Sequence, residues 1–145
     1  MPHTIVLTGN PEYCVEEQAA GSITPGMLIE YGGVAGKLRA HSTATGAAQR
    51  AFALESLVPD FANTTAAVDK VYASGDSVRW AIGHLGEEFW AWMVASGAAV
   101  AVGDTLASAG NGYLQPSATN PVARAAEVLN NAASPTPTRI RIRIA

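Results

Sequence analysis

The stretch TRIRIRIA, residues 138–145, alternates three arginines strictly with three isoleucines. A period of two excludes a helix, because the arginines of a helix would spiral around its axis. In a strand, Ile140, Ile142 and Ile144 point to one face and the arginines point to the other. The isoleucine face is expected to be core, where each buried side chain contributes about 2 kcal/mol. We therefore predict a β-strand whose removal unfolds the chain.

The arginine face of this strand needs partners, because same-face residues lie about 7 Å apart and repel weakly. One interpretation is a solvated face that pairs with carboxylates across the sheet, such as Glu30, Glu55 or Glu88. The other is a contact with acidic groups of a neighbouring subunit or partner, where arginine forms bidentate pairs. On either interpretation, the fold is expected to tolerate glutamine at all three positions. The arginines are Arg139, Arg141 and Arg143.

Strand signals separated by glycine turns fill the rest of the chain. Residues 50–55 alternate as expected for a half-buried strand, and residues 83–86 (GHLG) suit a hairpin loop between their flanking segments. Asn111-Gly112 is a strong turn signal for a second hairpin. The pattern predicts a mainly β fold, a small barrel or sandwich with at most one or two short helices. The predicted strands are residues 4–8, 27–31, 36–40, 50–55, 77–82, 87–94, 105–108 and 113–115.

One local pattern recurs where turns lead into strands. Residues 73–78 (ASGDSV) resemble residues 101–106 (AVGDTL), and residues 23–28 (ITPGML) are a looser copy. Glycine adopts positive φ without steric cost, and Asp can bond back to the local backbone. The repetition predicts several strands that are entered through similar turns. A further turn is predicted at residues 32–33.

Residues 120–131 (NPVARAAEVLNN) leave two structures open. Asn120 as a cap and Pro121 at the first helical position favour a helix. The same residues also alternate as a strand with positions 122, 124, 126 and 128 on one face. After them, residues 134–138 (SPTPT) predict an extended linker into the terminal strand.

The composition excludes several classes of protein. The chain has 145 residues, enough for one domain, and a single cysteine, so it forms no internal disulfide. A net charge of −3 does not favour binding to nucleic acid. No signal peptide or membrane-spanning run is visible, which predicts a soluble protein. Only 14% of the residues are charged. A surface with so few charges is either left exposed to solvent or covered by a partner.

The sequence gives no pattern typical of an active site. The three histidines do not stand at metal-ligand spacing from one another or from an acidic cluster. Acidic neighbours disfavour the thiolate of Cys14 as a nucleophile. Glu87 and Glu88 are adjacent, so they face opposite sides of a strand and do not form an acid–base pair. We therefore predict no enzyme activity, no metal site and no cofactor.

The three tryptophans are the conspicuous aromatic residues. Trp90 and Trp92 fall on one face of a strand, and Trp80 is expected on its hairpin partner. They line a core or, alternatively, a subunit interface, where tryptophan is enriched. A platform for stacking sugars or bases is a weaker alternative, since no basic groove accompanies it.

Several segments carry a family resemblance in their order along the chain. Taken together with the Arg/Ile-alternating end, the chain from residue 23 onward resembles the small capsid decoration, or cement, proteins of tailed bacteriophages. The segments are residues 23–30 (ITPGMLIE), 36–42 (GKLRAHS), 52–55 (FALE), 72–78 (YASGDSV) and 102–112 (VGDTLASAGNG).

The resemblance implies a β-rich domain that binds the outside of an icosahedral shell after expansion and strengthens it, commonly as a homotrimer. It implies the major capsid protein as partner, a place on the virion exterior after synthesis in the host cytoplasm, and no membrane or nucleic-acid contact. It also makes a strand as acceptable as a helix at residues 120–131. Residues 1–22 are unmatched: an N-terminal strand is expected there, followed by either an arm or a long surface loop. The candidate subunit or capsid contacts are Arg139, Arg141, Arg143, Trp90, Trp92 and Tyr13.

Two alternatives remain beside this function. The first is a small β-barrel that binds or carries a ligand, which requires a closed apolar cavity. The second is an enzyme, which requires that residues distant in sequence converge in space.

Overall fold

The computed structural model describes residues 2–32, 34–58, 65–94, 99–130 and 136–145. Within these ranges the chain forms fourteen short strands and one 3-10 turn, Ala67–Asp69, so the prediction of a mainly β fold is confirmed. The strands are β1 (Val6–Thr8), β2 (Glu12–Cys14), β3 (Gln18–Ala19), β4 (Ile29–Tyr31), β5 (Lys37–Ala40), β6 (Ala51–Ala53), β7 (Trp80–Ile82), β8 (Glu88–Met93), β9 (Ala99–Val100), β10 (Thr105–Gly110), β11 (Tyr113–Pro116), β12 (Ala123–Ala125), β13 (Leu129–Asn130) and β14 (Thr138–Ile144).

The terminal strand closes a five-stranded barrel. Strand β8 pairs with β11, β11 with β10, β10 with β12, β12 with β14, and β14 returns to β8. The last pairing is antiparallel and runs from Thr138 opposite Met93 to Arg143 opposite Glu88. Because β14 pairs on both sides, TRIRIRIA is an internal strand and not an exposed edge.

The barrel interior is filled by side chains. Ile140, Ile142 and Ile144 are at most 2% exposed, which confirms the predicted core face of β14. They belong to one buried cluster with Phe89 and Met93 of the neighbouring strand β8. Interior positions of small barrels are normally filled in this way.

A second, smaller core lies beside the barrel. It is formed under two three-stranded sheets, β2–β7–β6 and β3–β5–β4. Strand β6 lies between the two cores: Phe52 packs against Phe89 of the barrel at 5.3 Å between ring centres, while Ala51 and Ala53 belong to the second core. The prediction of a half-buried strand at residues 50–55 is therefore wrong, because both faces of β6 are covered.

The first 22 residues contribute one strand each to the barrel sheet and to the two three-stranded sheets. Strand β1 pairs with β8 of the barrel, β2 with β7, and β3 with β5. The described part of this segment is therefore paired with the sheets of the domain and does not project from it as an arm.

One predicted hairpin is present and the other is absent. Strands β10 and β11 form the antiparallel hairpin around Asn111-Gly112, as predicted. Strand β7 pairs with β2 and β6, whereas β8 lies in the barrel, so the predicted β7–β8 hairpin is wrong. Trp80 consequently lies in the second core, away from Trp90 and Trp92. Residues 83–86 move the chain from one sheet to another.

The recurring glycine turns are confirmed. Gly75 and Gly103 have φ of 91° and 94°, as the third residue of a type II turn requires. Each is followed by an aspartate whose carboxylate accepts the backbone N–H three residues earlier, at 2.9 Å for Asp76 and 2.8 Å for Asp104. Gly26, in the looser copy, has φ of 91°.

Gly26 and Gly103 form a matched pair for a stability test. A Cβ at Gly103 would meet no atom within 4 Å, whereas a Cβ at Gly26 would lie 2.8 Å from the backbone oxygen of Trp90. We expect Gly103→Ala to lose about 1–2 kcal/mol of unfolding free energy through backbone strain alone. Gly26→Ala is expected to lose a further 1–3 kcal/mol or so, because the turn must move off β8. Equal losses in urea unfolding would contradict this close approach.

Residues 120–130 contain the short strands β12 and β13 and no helix, so the helical alternative is wrong. Strand β12 pairs with both β10 and β14, so its backbone groups are used in the barrel. Asn120 does not cap a helix: it has φ of 49° and its side-chain amide donates to the carbonyl of Thr45 at 2.8 Å. Sheet pairing here overrides the helical propensity. Residue 131, position 33 of the predicted turn and positions 134 and 135 of the predicted linker lie outside the described residues.

The second core carries a group that responds to alkaline pH. The hydroxyl of Tyr72 is buried and donates to the carbonyl of Leu54 at 2.9 Å, and burial raises the pKa of Tyr72 to about 12. A pKa that is higher in the folded than in the unfolded chain means that the neutral hydroxyl of Tyr72 stabilises the folded state. This contribution of Tyr72 is complete below about pH 10 and is lost as the pH rises towards about 12. We expect the urea midpoint to fall over this range, and to fall less in Tyr72→Phe. Identical pH profiles would contradict the assignment.

Candidate interaction surface

Arg139 lies inside the molecule. Its guanidinium is stacked on Trp90 and Trp92, at 4.9 and 4.3 Å from the ring centres. One nitrogen pairs with Asp69 at 2.7 Å, and the side chain is only 4% exposed. The expectation that all three arginines lie on one accessible face is therefore wrong for Arg139, whose side chain is buried.

Backbone oxygens complete the surroundings of Arg139. Its Nε and Nη2 donate to the carbonyl of Pro25 at 3.2 and 3.0 Å, and Nη2 also donates to the carbonyl of Val68. The indole N–H of Trp92 donates to the same Pro25 oxygen at 2.9 Å. This cluster joins β8 and β14 of the barrel to the turn at Gly26 and to the 3-10 turn. We name Arg139 with its partners Trp90, Trp92, Pro25 and Asp69 the arginine latch.

Arg141 and Arg143 lie on the outside of the barrel, with side chains 50% and 61% exposed. Arg143 donates to Glu88 at 2.7 Å, and the Nε of Arg141 is 3.9 Å from the other oxygen of Glu88. A groove of about 290 Å³ runs between these side chains and also includes Arg124 and Val102. We name Glu88, Val102, Arg124, Arg141 and Arg143 the arginine groove.

Positive charge exceeds negative charge in the arginine groove. Arg124 of β12 lies directly opposite Arg143 of β14 in the sheet register. Like charges at such positions destabilise a strand pair, and Glu88 is the one carboxylate that lines the groove. Among the described residues that line it, the groove therefore carries an excess of positive charge, which favours binding of an anion.

Of the three carboxylates predicted to face the arginine row, Glu88 is confirmed and the other two are wrong. Glu30 pairs with Arg39 at 2.9 Å, and Glu55 pairs with Arg79 at 2.8 Å. Glu30 lies on β4 and Glu55 lies two residues after the end of β6, so neither faces the arginines of β14. The pattern of residues along the chain did not reveal this.

A second groove adjoins the first. It has a volume of about 500 Å³ and shares Glu88 and Arg141 with the arginine groove, while Leu7 and the edge of Trp90 add apolar surface. Glu127 borders it and accepts the backbone N–H of Arg141 at 2.8 Å. Arginine beside apolar surface is typical of protein–protein contacts.

Tyr13 lies on a different, acidic part of the surface. It is 46% exposed on β2, with the guanidinium of Arg79 5.4 Å from its ring centre. Residues 12–17 (EYCVEE), which we name the acidic edge, contain three carboxylates. Burial, together with the charges of these carboxylates, raises the pKa of the Cys14 thiol. Strand β2 lies at the end of its sheet, so one side of it is not paired within the described residues.

Glu17 is the one carboxylate of the acidic edge that accepts side-chain hydrogen bonds within the described residues. Its carboxylate accepts hydrogen bonds from the Trp80 indole and the Tyr31 hydroxyl, each at 2.9 Å. The bond from Trp80, with a smaller contribution from Tyr31, lowers the pKa of Glu17 although burial opposes the shift. Glu12 and Glu16 are exposed.

Three residues that are distant in sequence converge in an arrangement that resembles a catalytic triad. His41 Nδ1 is 2.7 Å from the hydroxyl oxygen of Ser108, and His41 Nε2 is 3.5 Å from Glu30. Ser108 is 0% exposed and also accepts the N–H of Gly110. Because Ser108 and His41 are both buried, we interpret the cluster as a structural hydrogen-bond network that connects β4, the end of β5 and β10.

Other classes of site find no support in the geometry. Among the described residues, no three His, Cys, Asp or Glu side chains are placed to hold a metal ion. None of the helices within the described ranges is long and apolar enough to cross a membrane. The barrel interior is occupied by the buried side chains of one hydrophobic cluster.

Comparison with known proteins adds no assignment, since no family description matches the chain and no curated protein matches it.

Proposed function

We propose that this protein decorates the outer surface of a viral capsid, binds the major capsid protein and stabilises the shell as a homotrimer. It acts by occupying a surface and not by transforming a substrate. In this role it needs no cofactor, nucleic acid or membrane.

The observation that carries the proposal is the arginine groove. Three arginines around one carboxylate, beside the exposed apolar side chain of Val102, form a surface suited to acidic groups of another protein. It opens on the outside of a barrel whose interior is full, which favours a protein partner over a small ligand.

Exposed apolar side chains support the same conclusion. Ten large ones remain at least 46% exposed on the described surface, although charged residues are sparse. Val58 and Val71 line one groove together, and Leu57 beside them is 74% exposed. Apolar patches of this kind mark protein contacts.

Co-sedimentation with purified shells tests the proposal. We expect the protein to pellet with expanded shells, less so with unexpanded ones, and to raise the temperature at which expanded shells break. Arg141→Gln/Arg143→Gln is expected to bind at least about tenfold more weakly and with less salt sensitivity, because the groove arginines hold the assembly together whether their acidic partner lies on the shell or on a neighbouring copy. Arg39→Gln is the matched control, since Arg39 is 48% exposed but lies outside the groove. Failure of the wild-type protein to bind expanded shells would overturn the proposal.

A further inference from the structure

The arginine groove has unused hydrogen-bonding capacity. Each guanidinium presents several N–H donors. Within the described residues, Arg124 donates to the carbonyl of Gly103 at 3.1 Å and Arg143 donates to Glu88. Arg141 has a long 3.5 Å hydrogen bond to the carbonyl of Ala126 and a 3.9 Å ion pair with Glu88. All three side chains line the groove, where guanidinium groups can bind carboxylates in bidentate geometry.

The negative charge of the molecule lies elsewhere on the same chain. The sequence has 9 basic and 12 acidic residues. Without the three groove arginines and Glu88, six basic and eleven acidic residues remain, a net charge of −5. A second copy of this chain therefore offers the groove a complementary surface.

The acidic edge is the best-suited part of that surface. Glu12 and Glu16 are exposed and form no ion pair within the described residues. Between them, Tyr13 and Val15 are 46% and 57% exposed, so the segment combines carboxylates with apolar area. As an edge strand, β2 also leaves backbone groups available to a partner. The arginine groove offers the matching combination of guanidinium groups and Val102.

We propose that the arginine groove of one copy binds the acidic edge, residues 12–17, of a second copy. The contact is head-to-tail, because the two surfaces differ, and repetition of such a contact closes a ring when the rotation allows it. This inference rests on the self-association included in the proposed function and names the surfaces that form it. Glu12 and Glu16 supply the carboxylates, and Arg124, Arg141 and Arg143 supply the donors.

Charge reversal tests the contact in the free protein. One variant reverses the groove (Arg141→Glu/Arg143→Glu), a second reverses the edge (Glu12→Lys/Glu16→Lys), and a third carries all four changes. Masses are measured by sedimentation velocity, and circular dichroism checks that each variant is folded. Lys37→Glu, outside both surfaces, is the control.

We expect oligomers of the wild-type and control proteins, monomers of the two single-surface variants, and recovery of the oligomer when all four changes are combined. A monomeric wild-type protein, single-surface variants that still assemble, or a folded four-change variant that stays monomeric would each overturn the contact. Shell binding by the folded monomeric edge variant, whose groove is unchanged, would leave the decoration function standing without this contact. Loss of shell binding by an intact wild-type oligomer would instead overturn the function alone.

Discussion

Deleting residues 140–145 abolishes the fold. The deletion removes three buried isoleucines, each worth about 2 kcal/mol, from a domain whose total stability is expected near 5–15 kcal/mol. It also removes the pairing partner of both β8 and β12, so the barrel opens and two strands gain unpaired edges. We expect a circular dichroism spectrum of an unfolded chain, or aggregation, at 25 °C.

Substitutions at Ile142 calibrate this result. Ile142 is 0% exposed at the middle of β14. Ile142→Val is expected to lose about 0.5–1.5 kcal/mol and Ile142→Ala about 2–5 kcal/mol, with the fold retained in the first. A truncated chain that keeps a dispersed amide NMR spectrum would show that the barrel does not depend on β14.

Local patterns in the sequence predicted those features that depend on local chemistry. The period-two alternation of TRIRIRIA is a property of the backbone in any strand, so β14 and its buried face followed from it. The turns at Gly75 and Gly103 followed likewise, since only glycine adopts their positive φ without strain. The β10–β11 hairpin needed only the Asn111-Gly112 turn.

Features set by the arrangement of the sheets were not predictable in this way. The glycine-flanked loop at residues 83–86 is compatible with a hairpin, but it joins two sheets because β7 is already paired on both sides by β2 and β6. Phe52 is buried against a core that the alternation of residues 50–55 gave no sign of. The convergence of His41 and Ser108 depends on contacts 67 residues apart.

The arginine row shows the same limit most clearly. Arg139, Arg141 and Arg143 repeat one pattern and project to the same side of β14, yet their surroundings differ. Arg139 lies opposite Trp92 and is covered by the turn at Pro25. Arg143 lies opposite Glu88 and is exposed to solvent. The pattern predicted the direction of each side chain but not what covers it.

Replacing Arg139 is expected to be the most damaging single substitution on the arginine side of β14. Arg139→Met removes a desolvated cation that is stacked on Trp90 and Trp92, worth about 2 kcal/mol. It also removes the donor to the carbonyl of Val68 and leaves the carbonyl of Pro25 with only the indole N–H of Trp92. Asp69 is 45% exposed and is re-solvated, so its lost ion pair adds little. The expected loss of unfolding free energy is about 3–5 kcal/mol.

Two controls separate the arginine latch from a general effect of charge. Arg139→Lys keeps the charge but not the planar fork, so it is expected to lose about 2 kcal/mol, because an ammonium group does not serve Pro25, Val68 and Asp69 together. Arg143→Met removes the same charge two residues away from a side chain that is 61% exposed, and is expected to change stability by less than about 1 kcal/mol. Urea unfolding followed by tryptophan fluorescence measures all three. Equal losses at Arg139 and Arg143 would mean that the latch does not hold β8 and β14 to the Pro25 turn. If the losses fall in the expected order, the fold tolerates glutamine at Arg141 and Arg143. Glutamine at all three positions is then expected to destabilise the fold, because Arg139 is lost.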